Sequence, residues 1–465
     1  MLKTVQQAEC PFAIKSGGHS RGVGASNADG GVTIDLVRLN GIQVSKNKKS
    51  VVIGAGLRWL DVYQELEKHN LLVVGGRVAD VGVGGLLLGG MISYLAFDHA
   101  DIHKGGISFF SNRHGWGCDN ILSYEIVLPD GSIQTITQKS RPSLFKALRG
   151  AGSGNFGIVT SFELVTFPHV PEIWGGSKFY PLELKGALQD MSYEFTTKTL
   201  AQDPDAALIS SYGYSKEYQM WFAVQLFRHT SHASNTTFPA AFESWNVLEG
   251  LPNMTAVSLK PLSQHTLEIA QSTPPGLRQL YGTFTYRPSA ALDNDLLDIF
   301  RAEADKISAE IQNHFLPAVI YQALSPTMLG HMNRRGGNAL DIASEADKGP
   351  LIIFLVNWIW SDPTQDDLAT ESYYRTMKLL EDKARESGLW HPFKYVNYAE
   401  EFQDVWEGLS DPAQKELKAL QREVDPKGLF TKGGLGGGYF KLNSFGEGAD
   451  ATGKGGEYKG GKDEL

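Results

Sequence analysis

The stretch Lys15-Ser16-Gly17-Gly18-His19-Ser20 follows a short apolar run and decides how the rest of the chain is interpreted. Adjacent glycines carry no Cβ, so backbone N–H groups can converge on an anion and positive φ angles are permitted. A pyrophosphate is the expected guest, with the hydroxyls of Ser16 and Ser20 as further donors. His19 would then lie close to whatever the phosphates are attached to. Alone, the stretch is equally consistent with a turn that carries a polar histidine.

A later glycine cluster has the form G-x-G-x-x-G, at Gly152, Gly154 and Gly157. As a dinucleotide fingerprint for NAD, this pattern requires a strand, a turn and then a helix, so that the pyrophosphate meets the helix N-terminus. Here the order is reversed. Residues 142–148 predict a helix before the glycines, and the alternating, β-branched residues 158–165 predict a strand after them. The context therefore argues against a nicotinamide dehydrogenase.

Four motifs occur in order along the chain, at residues 16–20, 81–85 (Val-Gly-Val-Gly-Gly), 116–120 (Trp-Gly-Cys-Asp-Asn) and 154–157 (Gly-Asn-Phe-Gly). With them the chain resembles FAD-linked oxidases that have the vanillyl-alcohol-oxidase (PCMH) type of flavin domain. Within these it resembles most the berberine-bridge-enzyme-like and 6-hydroxy-nicotine-oxidase-like branch, especially its fungal secondary-metabolite members. The resemblance covers nearly the whole chain, about residues 1–442, and the ordered set is far more specific than any single motif.

The resemblance implies a two-lobed α+β fold. We expect a PCMH-type FAD-binding domain at 1–170 and a substrate-binding cap at 171–390, with a C-terminal segment at 391–442 that completes the FAD lobe. Between residues 171 and 390 the pattern itself predicts antiparallel strands with long helices on one side. The tail, 443–465, is rich in Gly, Lys and Glu and predicts disorder.

The resemblance also implies how FAD is held. In the family the histidine of the Gly-Gly-His motif is bonded to the flavin 8α-methyl, a role that falls on His19. Many relatives add a second link through a cysteine just before the Val-Gly-x-Gly-Gly run, where this chain has Arg77-Val78-Ala79-Asp80, so one bond is expected. The residues predicted to bind the cofactor are Ser16, Gly17, Gly18, His19, Ser20, Gly82, Val83, Gly84, Gly85, Gly89, Asp119, Asn120, Gly154, Asn155, Gly157, Ile158 and Asn397.

A Tyr-x-Asn-Tyr segment lies near the flavin ring in this family, and this chain has it at residues 395–398. We expect Tyr395 to be a substrate-facing acid or base, with Tyr398 and Gln322 completing the catalytic set and Asn397 on the ring. A phenol, with a pKa near 10, would need a lowered value to act as a base at neutral pH. The alternative is an ordinary strand, and Gln322 could simply satisfy buried backbone, as could a further pocket candidate, Asn338.

The predicted function is that of an FAD-dependent oxidase. It would remove a hydride from a small hydroxyl- or amine-bearing molecule in secondary metabolism and pass the electrons to O2, giving H2O2. The main alternative is a catalytically impaired or non-catalytic flavin binder, because the chain begins at what corresponds to the family's first flavin-lobe helix and residues 91–104 interrupt a glycine run. That interruption has the character of an unspliced intron or an added loop.

Composition restricts the partners. The chain has 465 residues, of which 42% are apolar and 20% charged, and a net charge of −9 with no basic stripe, which argues against nucleic acid. No apolar run reaches the length of about 18 residues that a spanning helix needs, and residues 350–360 predict a buried strand instead. The resemblance implies a small-molecule substrate and O2 as partners, and we expect a monomer. Cys10 and Cys118 are too few for a disulfide framework.

Two short patterns bear on metal binding and location. The spacing His99-x-Asp101-x-His103 could ligate a metal, but it lacks a fourth ligand, so no metal is predicted. The chain ends Lys-Asp-Glu-Leu at 462–465, which is an endoplasmic-reticulum retention signal for a protein that has entered that compartment. No N-terminal charged-then-apolar segment is present to direct entry. The secretory pathway and the cytoplasm both stay open.

Overall fold

The structure is a computed structural model. The residues that it describes are 1–20, 24–89, 107–271, 276–431, 433–438 and 440–442. The insertion at 91–104, with its His-x-Asp-x-His pattern, and the tail at 443–465 lie outside the described residues.

The N-terminal part is built around a five-stranded antiparallel sheet. The strands of the whole N-terminal part, inside and outside this sheet, are β1 (Phe12–Lys15), β2 (Val32–Asp35), β3 (Ile42–Val44), β4 (Ser50–Gly54), β5 (Leu71–Leu72), β6 (Ile121–Val127), β7 (Ile133–Thr137), β8 (Ile158–Val165) and β9 (Phe167–Pro168). Its helices are α1 (Leu2–Gln7), α2 (Trp59–Glu67), α3 (Val83–Leu88), α4 (Ser111–His114) and α5 (Pro142–Ala151). The sheet order is β3-β4-β8-β6-β7, while β1 pairs in parallel with β2, and β5 pairs with β9.

Helix α2 shows why the sequence folds in this way. Its buried side chains, Trp59, Val62, Tyr63 and Leu66, recur at the helical spacing that places them on one face. That face packs into the same apolar core as the strands of the five-stranded sheet. The helix begins at Trp59 and ends at Glu67.

The second part contains an eight-stranded antiparallel sheet. Its strands are β10 (Ile173–Pro181), β11 (Ala206–Ser215), β12 (Met220–His229), β13 (Thr255–Lys260), β14 (Arg278–Tyr286), β15 (Phe315–Leu324), β16 (Leu351–Trp360) and β17 (Trp390–His391). The remaining helices are α6 (Lys185–Glu194), α7 (Leu200–Gln202), α8 (Glu243–Asn246), α9 (Leu262–Gln271), α10 (Ala290–Glu310), α11 (Pro326–His331), α12 (Asp366–Glu386) and α13 (Asp411–Val424). The order in the sheet is β13-β10-β12-β11-β15-β16-β14-β17.

Both faces of this sheet are buried. Along β15 and β16, alternate side chains such as Val319 and Phe354 join the core that includes the long helices α10 and α12. The side chains between them, such as Ile320 and Leu355, join the core of the N-terminal part. All ten residues of β16 are buried, which confirms the predicted buried strand. In the described part of the chain, no helix is long and apolar enough to cross a membrane.

The C-terminal segment packs back onto the N-terminal part. The backbone N–H of Phe12 donates to the carbonyl of Leu435 at 2.8 Å, and the N–H of Gly437 donates to the carbonyl of Phe12 at 2.7 Å. Further along, the ammonium of Lys441 donates to the carbonyl of Gly154 at 2.7 Å. These bonds place the last described residues beside the third glycine cluster.

Candidate functional site

A cavity lies between the glycine clusters of the N-terminal part and the C-terminal segment. Val396, Trp406 and Gly437 close it from the C-terminal side. Small residues form most of the opposite wall, so backbone rather than side chains faces the space. The residues of the predicted cofactor set that line it are Ser16, Ser20, Gly84, Gly85, Gly89, Gly154, Asn155, Gly157 and Ile158.

The first two glycine motifs touch each other directly. A Cβ on Gly17 would lie 2.4 Å from the backbone nitrogen of Gly82, and a Cβ on Gly82 would lie 2.2 Å from the nitrogen of Gly17. Beside them, the hydroxyl of Ser16 donates to the carbonyl of Ala55 at 2.6 Å and accepts from the N–H of Gly84 at 3.2 Å. Gly17 and Gly82 therefore serve the contact between two loops, while Ser16 and Gly84 beside that contact line the cavity.

The third glycine cluster follows helix α5 and precedes strand β8. This confirms the helix, loop and strand order that argued against an NAD fingerprint. Gly89 has φ +87°, and a Cβ there would lie 2.8 Å from the carbonyl oxygen of Gly150. Gly157 has φ +151°, and a Cβ there would lie 2.4 Å from the carbonyl oxygen of Val127. Only glycine suits these positions, because other residues would be strained and would collide with backbone.

Asn155 links this cluster to the C-terminal segment. Its amide nitrogen donates to the carbonyl of Ala151 at 3.1 Å, and its amide oxygen accepts from the N–H of Leu442 at 3.1 Å. The side chain is buried, yet the residue lines the cavity. Asn155 therefore fixes the wall that the C-terminal segment adds to the cavity.

Asp119 and Asn120 are buried away from the cavity. Asp119 accepts from the backbone N–H of Trp116 at 2.9 Å and from the amide of Asn338 at 2.8 Å, with a nitrogen of Arg149 at 3.6 Å. Burial raises the pKa of Asp119, and Arg149 acts against that rise. Asn120 donates to the carbonyl of Trp116 at 2.9 Å. The hydrogen bonds of both side chains hold a turn, and so does the bond that Asn338 donates to Asp119.

His19 is paired with Asp80. Its Nε2 lies 3.3 Å from a carboxylate oxygen of Asp80, and its buried Nδ1 makes no hydrogen bond with any described residue. Burial opposes ionisation of Asp80, but the contact with His19 outweighs it and the pKa of Asp80 is lowered. The imidazole does not line the cavity, although its neighbour Ser20 does. Of the remaining predicted residues, Gly18 and Val83 also lie off the lining, and Asn397 is fully buried.

A second group of buried polar side chains joins three separate regions of the chain. We call Arg77, Gln322, Tyr395 and Tyr398 the interlobe cluster. Arg77 donates to the amide oxygen of Gln322 at 2.7 Å and to the hydroxyl of Tyr398 at 3.3 Å, and Tyr398 donates to the same amide oxygen at 3.2 Å. The structure thus brings together the predicted catalytic residues Gln322 and Tyr398. The role of Arg77 was missed, although a charged residue inside the buried run 71–79 was a usable signal.

Tyr395 lies at the edge of this cluster. Its ring centroid is 4.8 Å from that of Tyr398 and 5.0 Å from that of Trp116, both in edge-to-face geometry. Burial raises the pKa of Tyr395 well above 10, and the charge of Arg77 acts weakly against that rise. A phenol that acts as a base at neutral pH requires a lowered pKa, so the shift at Tyr395 has the opposite direction. Tyr395 is therefore protonated at neutral pH in this arrangement.

Comparison with known proteins bears on the cofactor that the cavity would hold. Residues 1–104 match the family model described as FAD binding domain. Over 436 residues the chain is 33% identical to the FAD-dependent monooxygenase tpcD of Cochliobolus heterostrophus, with 93% of this chain and 80% of that protein covered. It is 31% identical to the FAD-dependent monooxygenase drtC of Aspergillus calidoustus, with 95% of this chain and 80% of that protein covered. The chain belongs to this family of FAD-dependent oxidoreductases, which confirms the predicted enzyme class.

Solved structures show the same fold. The 6-hydroxy-D-nicotine oxidase of Arthrobacter nicotinovorans superposes with a TM-score of 0.70 at 19% identity, over 92% of this chain and 87% of that one. Berberine bridge enzyme from Eschscholzia californica superposes with a TM-score of 0.68 at 14% identity, over 92% of this chain and 85% of that one. The predicted α+β fold of the berberine-bridge-like type is confirmed. Within the described residues, no group of three or more His, Cys, Asp or Glu side chains could hold a metal ion.

Proposed function

We propose that the protein is an oxidase that removes a hydride from a small hydroxyl- or amine-bearing secondary metabolite and passes the electrons to O2, giving H2O2. The observation that carries this proposal is the position of the 395–398 segment. Val396 lines the glycine-walled cavity, while Tyr395 and Tyr398 on either side of it belong to the interlobe cluster. A cofactor in the cavity and a substrate between the lobes would therefore meet along one segment.

The residues present fit FAD. Glycines whose Cβ atoms would collide with neighbouring backbone keep the cavity wall thin, and the hydroxyls of Ser16 and Ser20 face the same space. Such a wall suits a pyrophosphate, because backbone N–H groups can approach it closely. When bound there, FAD supplies a two-electron acceptor for the hydride. The backbone around Gly84, Gly85 and Gly154 would hold it.

Covalent attachment through His19 forms part of this proposal. Asp80 engages Nε2, so a neutral imidazole that donates there carries its lone pair on Nδ1, the atom that has no partner among the described residues. Nδ1 is then the nucleophilic atom of the ring. The stretch Arg77-Val78-Ala79-Asp80, where many relatives have a cysteine, contains none, so we propose one bond.

The covalent bond is tested by denaturing the protein in acid. We expect a yellow, fluorescent pellet from the wild type and a colourless one from His19→Ala. His69→Ala is the matched control, because His69 is a surface histidine that also lies against a carboxylate, Glu65, at 3.4 Å. Wild-type flavin found wholly in the supernatant would contradict the bond and leave FAD binding intact.

We assign proton handling to the interlobe cluster. Arg77 donates to the oxygen of Tyr398, and a donor placed there stabilises a phenolate. Tyr395, with its raised pKa, is better suited to hold and donate its proton. Tyr398 is thus the favoured acceptor of the substrate proton, and Tyr395 the orienting hydroxyl.

Flavin reduction under anaerobic conditions separates these two roles. Tyr398→Phe should slow reduction by about 10²- to 10⁴-fold, the usual contribution of a positioned acid or base. Tyr395→Phe should have a smaller effect and leave the pH profile unchanged. A large loss confined to Tyr395→Phe would reverse the assignment, and small, equal losses would make both tyrosines packing residues.

A monooxygenase is the second candidate, favoured by the names of the two curated relatives. The two reactions differ in the fate of oxygen. Turnover under ¹⁸O2 should give labelled peroxide and an unlabelled product for the oxidase, and a labelled product for the monooxygenase. A flavin that no substrate reduces would favour the non-catalytic flavin binder.

A further inference from the structure

Two pure hydrogen-bond donors around the interlobe cluster are buried without a partner among the described residues. They are the amide nitrogen of Gln322 and the indole nitrogen of Trp116. Gln322 is 4% exposed to solvent and Trp116 is 1% exposed. Contacts through Tyr395 and Tyr398 connect them: Trp116 packs on Tyr395, Tyr395 on Tyr398, and Tyr398 bonds Gln322. Buried hydrogen-bond donors normally have an acceptor. A group of buried donors that lack one therefore points to a ligand that supplies the acceptors.

Arg77 fixes which end of the Gln322 amide is available. A guanidinium only donates, so the group that it contacts at 2.7 Å must be the amide oxygen. The hydroxyl of Tyr398 donates to the same oxygen. A flip of the amide would place its NH2 against the guanidinium and is therefore disfavoured. Nε2 must face away from Arg77 with both hydrogens available.

The position of Gln322 in β15 directs its side chain toward the N-terminal part. Ile320 belongs to the core of that part, and Tyr321 belongs to the core that includes α10 and α12. Because side chains alternate along a strand, Gln322 shares the face of Ile320. Its donor thus lies at the junction of the two parts, beside the segment whose Val396 reaches the cavity.

We propose that Gln322 donates to an oxygen of the substrate, so that the site selects a hydroxyl or carbonyl compound over a protonated amine. This inference rests on the proposed function and narrows its two substrate classes to one. An ammonium group has donors and no acceptor, so it cannot satisfy the Gln322 amide or the Trp116 indole. Arg77 acts as a positioning residue, because it holds the amide in the orientation that makes this choice.

Ligand binding without turnover tests the proposal. The oxidised, flavin-loaded protein is titrated calorimetrically, without O2, with 2-naphthol and with 2-naphthylmethylamine at pH 7. We expect the naphthol to bind at least about tenfold more tightly, the ratio that one well-made hydrogen bond can supply. Gln322→Glu replaces the donor with an anionic acceptor and should abolish or reverse the preference. Gln322→Met removes the donor at similar length and should bring the ratio close to one.

Gln225→Met is the matched control. Gln225 is a fully buried glutamine in β12 that donates to the hydroxyl of Ser210 at 2.8 Å, so it tests the cost of losing such a side chain elsewhere in the sheet. It should leave the binding ratio unchanged. Arg77→Leu frees the amide to flip and should improve amine binding relative to naphthol.

Four results would overturn the inference: equal or tighter binding of the amine by the wild type, a ratio that both Gln322 variants leave unchanged, a change of the same size in Gln225→Met, or no saturable naphthol binding. Failure of the proposed function appears differently. It would show as protein that carries no flavin, or as flavin that no substrate reduces, and neither readout depends on the binding ratio.

Discussion

Asp205 and Arg113 form an ion pair that joins the two parts of the protein, and removing it should cost measurable stability. Arg113 lies in α4 of the N-terminal part, and its Nε and Nη2 each lie 2.5 Å from an oxygen of Asp205. The hydroxyl of Thr230 donates to the same carboxylate at 2.7 Å. Burial opposes ionisation of Asp205, but the hydrogen bonds from Arg113, Thr230 and Ser231 and the charge of Arg113 together outweigh it and lower the pKa from 3.8 to about 2. At about 1.4 kcal/mol for each pH unit, this difference corresponds to about 2 kcal/mol.

We therefore expect Asp205→Asn to lower the free energy of unfolding by about 2 kcal/mol at pH 7, measured by denaturant unfolding. Because the folded pKa is the lower one, the stabilisation is complete above about pH 4 and is lost as the pH falls toward 2. The difference between variant and wild type should shrink over that interval.

Asp382→Asn provides the matched control for this measurement. Asp382 pairs with Lys378 one helical turn away, and both side chains are largely exposed. Such surface pairs contribute about 0–1 kcal/mol, so the control should change little. An Asp205→Asn loss no larger than that of the control, or one that persists unchanged at pH 2, would refute the reasoning.

Two further predictions concern the cavity wall and a buried acid. Gly89→Ala should lower flavin content, measured as the ratio of flavin to protein absorbance, because Gly89 has φ +87° and an added Cβ would lie 2.8 Å from the carbonyl oxygen of Gly150. Gly186→Ala is the control and should leave flavin content unchanged, because a Cβ there meets nothing within 4 Å. Equal losses of flavin in the two variants would contradict the steric argument. Burial raises the pKa of Asp293 to about 7, so its ionisation destabilises the fold as the pH rises from about 4 through 7. Asp293→Asn should thus raise Tm more at pH 8 than at pH 5, and an equal effect at both would be evidence against the raised pKa.

Sequence alone determined the elements whose burial follows a simple period. Strand β16 was predictable because both of its faces are covered, which makes the run of residues 351–360 continuously apolar. Helix α2 was predictable because one of its faces is covered, which leaves apolar residues at helical spacing. The glycine motifs were visible for a related reason: positions such as Gly17 and Gly157 admit no Cβ, so the chain must carry glycine there. Their order along the chain was enough to give the fold and the cofactor family.

The tertiary structure decided which polar residues meet. Arg77 lies 245 positions from Gln322 and 321 positions from Tyr398 along the chain, and no local pattern links a guanidinium to the oxygen that accepts its hydrogen bond. Asp119 stands in a family motif, yet its hydrogen bonds hold a turn: it accepts from the nearby backbone of Trp116 and from Asn338, which only folding brings to it. The direction of the pKa shift at Tyr395 depends on burial by neighbours from distant segments. Hydrophobic periodicity is a property of the local chain, whereas pairing and desolvation of polar groups arise only once distant segments have packed together.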